Sequence, residues 1–194
     1  MKKLTRADLY TLEGYAQERD RMRAEVMEHK RDRRISIGPI VNLYFEDRLT
    51  MHYQVQEMLR AERIFEAVGI DDELNAYNPL IPDGSNWKAT MMIEIPDPEQ
   101  RKRELANLIG IEDRCYVQVE ACEKVYAKAD EDMDRSTSDK TSSVHFLRFE
   151  LDVGMIEALR NGASLAAGVD HEAYCHRVEP VSGEQRESLL NDLD

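Results

Sequence analysis

The segment GVDHEAYCHRV, residues 168–178, places His171, Cys175 and His176 within six positions, with Asp170 and Glu172 beside them. Imidazole, thiolate and carboxylate are the side chains that hold transition metals. If residues 172–175 form a hairpin loop, His171 and His176 become cross-strand partners, with Cβ atoms roughly 5 Å apart. Both rings would then face one ion. Two ligands do not close a site, and the expected third donor is His145, which opens the apolar-rich stretch VHFLRFEL. The set His145, His171 and His176 suits one iron or zinc ion. Period-two alternation sends Cys175 and Asp170 to the opposite face. The same residues also admit a proton relay, a small-ligand pocket, or a solvent-facing histidine pair with no ion.

Two other clusters carry charge. Asp130, Asp132 and Asp134 imitate the opening of a calcium loop, but the sixth and twelfth positions hold Arg135 and Thr141 where glycine and glutamate are required. The segment Ala129–Ser143 is therefore expected to be a solvated connection. Arg60 and Arg63 lie on the helical stretch QEMLRAER, where Glu57 can support Arg60 at three-residue spacing. With the basic residues around Arg33 and Arg34 they outline a pocket for a small anion. No GxSxG, P-loop or GxGxxG motif occurs, and HEAYCH lacks the HExxH spacing of a zincin.

These residues need elements to position them. Thr5 with Asp8 opens a long N-terminal helix running to about Arg31. Val41, Leu43 and Phe45, then Leu49, Met51, Tyr53 and Val55, alternate with polar or aromatic neighbours, which predicts a hairpin turning at Glu46–Arg48. Pro39 confines the residues before it to an edge or an entry segment. A helix is expected from Val55 to Val68 with Gly69 as its stop, then a short one over Asp71–Tyr77. WKATMMIEI is a strand, PDPEQRKRELANLIG a helix, and CYVQVEACEKVYA a long strand with a bulge. VHFLRFEL is a strand, followed by a short helix ending at Gly162, a last pair of strands, and a terminal helix capped by Ser182. Without regular βαβ alternation, the pattern is α+β: a largely antiparallel sheet with helices packed on one face.

At 194 residues the chain suits a single domain, residues 1–194, and its 42% hydrophobic content suits a soluble one. A net charge of −13 repels phosphate backbones, so no nucleic-acid partner is expected. No apolar segment follows the lysines of MKKLTRADLY, and no run approaches a membrane span. Three cysteines without CxxC spacing fit a reducing compartment, and a cytoplasmic location is expected. A homodimer through sheet edges or the first helix is compatible with the pattern.

QVQEMLRAERI, YNPLIPDG, ATMMIEIPD, VHFLRFEL and GVDHEAYCH, in that order, resemble a bacterial domain-of-unknown-function family, number 3501. The resemblance runs from about Leu4 to the C-terminus. It implies genes beside rubrerythrin and an iron–sulfur oxidoreductase, and hence an accessory protein with rubrerythrin-type or iron–sulfur partners in oxidative-stress defence or electron transfer. It also implies histidines at the positions of His145, His171 and His176, with no cysteine matching Cys175. The alternatives are a metal-binding protein or metal-dependent enzyme built on those histidines, and a small-anion sensor using Arg60 and Arg63.

Overall fold

The computed structural model describes residues 2–194. Strands β1 (Arg34–Ile37), β2 (Val41–Glu46), β3 (Asn86–Ile93), β7 (Val144–Glu150) and β6 (Lys128–Ala129) form one sheet in that order. A second sheet runs β5 (Val125–Tyr126), β4 (Cys115–Val119), β8 (Leu165–His171), β9 (Tyr174–Val178). Every pairing between these strands is antiparallel. The α+β class and antiparallel character follow the sequence pattern. The division into two sheets does not show in it.

The apolar faces of the two sheets share one core. Leu43, Phe45, Trp87, Met91, Leu147 and Phe149 come from the first sheet, and Val117, Val119, Ala167 and Val169 from the second. Each large side chain taken fully out of water contributes about 1.5–3 kcal/mol. Trp87 is wholly buried, and its indole N–H donates to the Leu189 carbonyl at 2.9 Å, fastening α6 (Gly183–Leu190) to the sheet. As Pro39 implies, β1 is an edge strand.

The expected hairpin over residues 41–55 is not formed. β2 ends at Glu46, and residues 48–62 are helix α2 (Arg48–Glu62). Asp47 starts it: its carboxylate accepts from the Thr50 N–H at 2.9 Å, and its own N–H donates to Thr50 Oγ1 at 2.9 Å. The alternation of apolar residues arose because α2 is buried on two sides. Met51, Val55 and Leu59 pack with Leu74 and Ile81, while Tyr53 packs with Tyr15, Met22 and Val26 of α1 (Leu12–His29). The chain then turns at Arg63, in the left-handed region at φ 57, and Gly69 falls inside α3 (Ala67–Tyr77) rather than ending a helix. The Thr5–Asp8 capping box is present but caps only a 3-10 turn; α1 starts later, with Thr11 accepting from Gly14.

The long strand expected over residues 115–127 is a hairpin, β4 and β5, folded at Ala121 with φ 61. The segment after it is also more ordered than a solvated connection. β6 joins the first sheet, the Asp130 N–H donates to the Phe146 carbonyl at 2.8 Å, and the Thr141 N–H donates to the Leu105 carbonyl of α4 (Pro98–Asn107) at 3.0 Å. After β7 come α5 (Val153–Arg160) and the terminal hairpin β8–β9.

Candidate functional site

β7 alternates so that His145, Leu147 and Phe149 point into the core. His145 lies at the start of the strand, where the apolar core gives way to polar side chains from two returning segments. Its Nδ1 is 2.6 Å from Asp130 Oδ2, just beyond β6. Asp130 is held in place by the Phe146 N–H at 3.0 Å and by Arg135 at 3.1 Å. On the other side of the ring, Nε2 is 2.9 Å from Thr141 Oγ1 and 3.1 Å from the Ser142 carbonyl oxygen. Glu112, on the 3-10 turn Ile111–Arg114 before β4, places Oε2 3.9 Å from Nε2 and accepts from Thr141 Oγ1 at 3.1 Å. Ser136 donates to the second Glu112 oxygen at 2.5 Å. Glu112, Asp130 and His145 bring their potential ligand atoms within 4.8 Å of one another.

The expected histidine triad is not assembled. The turn between β8 and β9 is two residues long, so His171 opposes Tyr174 and His176 opposes Val169. His145 belongs to the other sheet. Both nitrogens of His171 are taken by backbone: Nδ1 accepts from the Ala173 N–H at 3.2 Å, and Nε2 lies 3.1 Å from the Ile109 carbonyl. His176 is exposed and rests against the Tyr174 ring, centroids 4.5 Å apart, and over Gly38. Gly38 has φ 68, and a Cβ there would meet the His176 ring at 2.6 Å. Packing alone accounts for His176. Asp170, paired with Cys175, accepts instead from Lys124 at 2.6 Å and Tyr126 at 2.8 Å.

The arginines diverge as well. Arg60 and Arg63 are exposed at the end of α2, and Glu57 is taken by Tyr15 and Arg19 rather than Arg60. Arg33 is 2% exposed and donates to the Phe45 and Glu46 carbonyls and to Asp192. Arg34 turns to Asn42. No anion pocket joins the two pairs, because the donors of Arg33 are spent inside the fold.

A cleft of about 630 Å³ lies where the end of α3 meets the outer face of β3 and β7. Tyr77, Pro79, Leu80 and Phe146 supply apolar wall. Lys88 and Arg148, register partners on β3 and β7, supply cations. Arg148 is engaged by Glu131 at 2.6 Å and by Glu150. Lys88 makes no hydrogen bond or ion pair among the described residues. Burial pushes its ammonium pKa down, and the Arg148 charge adds to the effect.

A family model described as "Protein of unknown function (DUF3501)" matches residues 3–193. The chain belongs to this family. It is similar to a solved protein of unknown function from Burkholderia pseudomallei K96243, at 49% identity and a TM-score of 0.94, with 100% of each chain covered. No curated protein matches.

In this DUF3501 chain, Asp130, His145 and Thr141 repeat the carboxylate–imidazole–hydroxyl order of a nucleophilic triad. Their burial argues against that use. Thr141 is 1% exposed and its hydroxyl is also held by Glu112 and Ser136. A reacting carbonyl has no approach to that oxygen. Glu112, Asp130, Thr141 and Lys88 were missed as site residues from sequence.

Proposed function

We propose that this protein is a non-catalytic accessory protein that binds a small organic anion in the cleft above β3 and β7. The observation that carries this is Lys88, an ammonium with no hydrogen bond or ion pair in a cleft of ligand size that Arg148, Glu131 and Asp132 also line. Clefts of a few hundred Å³ with apolar walls and few polar groups are the usual form of small-molecule sites. An ammonium there gains a charge-assisted hydrogen bond when a carboxylate enters. The apolar wall selects an anion with an apolar body over a bare inorganic one. The exposed Arg60 and Arg63 have no part in this site.

The accessory role beside rubrerythrin-type and iron–sulfur partners rests on the family resemblance and forms the outer part of the proposal. With it go a cytoplasmic setting and one domain over residues 1–194. No helix among the described residues is long and apolar enough to cross a membrane.

Calorimetric titration with a series of small aliphatic and aromatic carboxylates tests the ligand reading. A member of the series is expected to bind, and Lys88→Met is expected to weaken it at least about tenfold, the loss of one charge-assisted bond. Equal affinity in the variant would remove the cleft from consideration.

A further inference from the structure

We propose that His145 Nε2, a Glu112 carboxylate oxygen, Thr141 Oγ1 and the Ser142 carbonyl oxygen form a binding site for one divalent cation of zinc type. This site is independent of the Lys88 cleft.

The argument begins with Asp130. Its carboxylate faces Nδ1 at 2.6 Å, so that nitrogen carries a proton. If that is the only ring proton, the Nε2 lone pair points at three oxygens: Thr141 at 2.9 Å, Ser142 at 3.1 Å and Glu112 at 3.9 Å. The Ser142 carbonyl has no proton to give. Two lone pairs facing each other at 3.1 Å need an electropositive centre between or beside them. A second ring proton or the Thr141 hydroxyl proton, at 2.9 Å, supplies one such centre, and a metal ion supplies another.

The donor geometry favours the ion. Tetrahedral zinc with bonds of about 2.0–2.2 Å to nitrogen and oxygen has ligand-to-ligand edges of roughly 3.4 Å. The Nε2 distances above and the 3.1 Å Thr141–Glu112 separation all lie within about half an ångström of that value. The imidazole and carboxylate admit zinc, and the three oxygen donors also admit manganese. Glu112 and Asp130 are two carboxylates, with one guanidinium, Arg135, against Asp130, which leaves one negative charge for a cation to offset.

Asp130 then occupies the position behind a metal-bound histidine, where a carboxylate fixes the ring and raises its basicity. Four protein donors make a closed, structural site rather than a catalytic one. His145 is fully buried, and Thr141 and Glu112 are 1% and 8% exposed. The ion would clamp the polar segment after β6 to β7 and to the turn before β4.

The test uses the full chain purified without a metal-chelating tag, stripped with a chelator, and titrated with Zn²⁺ and separately with Mn²⁺. Uptake is read by elemental analysis and by the thermal midpoint. One equivalent of Zn²⁺ with a raised midpoint is expected. Glu112→Gln should abolish the uptake, and Asp130→Asn should weaken it about 10–100-fold. His176→Ala should leave it unchanged. Glu112→Gln keeps the size and a hydrogen-bonding oxygen, so it reads the site even if His145→Gln fails to fold. No stoichiometric uptake by the wild type, or equal uptake by Glu112→Gln, overturns the proposal and leaves the cluster a hydrogen-bond network.

Discussion

Two regions of this molecule place histidine among carboxylates, and they behave oppositely. On the β8–β9 hairpin, His171 and His176 are close in sequence and share a strand face, yet the two-residue turn offsets them. One is bonded to backbone and the other packs over Gly38. Elsewhere, Glu112 from the turn before β4 and Asp130 and Thr141 from the segment after β6 converge on the ring of His145 in β7. Density of chemical groups along a strand spreads them over its length. Convergence needs segments that return to the same point from different directions.

Removing each centre in turn measures the contrast. His145→Ala strands Asp130, Thr141 and Glu112 in a buried setting and is expected to cost about 2–4 kcal/mol in denaturant unfolding. His171→Ala breaks bonds to two backbone groups near the surface, with about 1–2 kcal/mol expected by the same measurement. An equal loss in the two variants would erase the distinction between a networked histidine and a locally capped one.

A smaller effect lies on the outer face of the hairpin. Hydrogen bonds from Lys124 and Tyr126, together with the Lys124 charge, hold the Asp170 carboxyl below its usual pKa. A lowered acid stabilises the fold above its unfolded pKa and loses that contribution as pH falls through the folded value. Wild type should therefore exceed Asp170→Asn in thermal midpoint above about pH 4. The gap, under about 1 kcal/mol for a partly exposed pair, should close in more acidic solution. A gap that persists at pH 2 would mean that Asp170 acts through packing rather than charge.

Much of the fold was legible in local pattern. Residues 144–151 alternate cleanly because β7 has one face in the core and one outside it. Pro98 at a helix start, Ser182 as a cap and Gly162 as a stop are determined by backbone chemistry that any context preserves. α2 reads as a strand because a helix packed on two sides can mimic strand alternation, and only the Asp47–Thr50 cap marks its start. The hairpin at Ala121 was hidden because a non-glycine residue occupies the left-handed turn position. Of the candidate metal ligands, His145 was recognised and its neighbours were not.

The sequence by itself determined the class, the antiparallel character and several element boundaries, since these depend on periodicity, caps and turn chemistry within a few residues. It also marked His145. Only the tertiary structure decided that the strands split into two sheets with a common core, that His171 and His176 serve their own hairpin, and that Glu112 and Asp130 meet His145. Those outcomes depend on contacts between residues far apart in the chain, and no local period encodes which distant segment will return to complete a site.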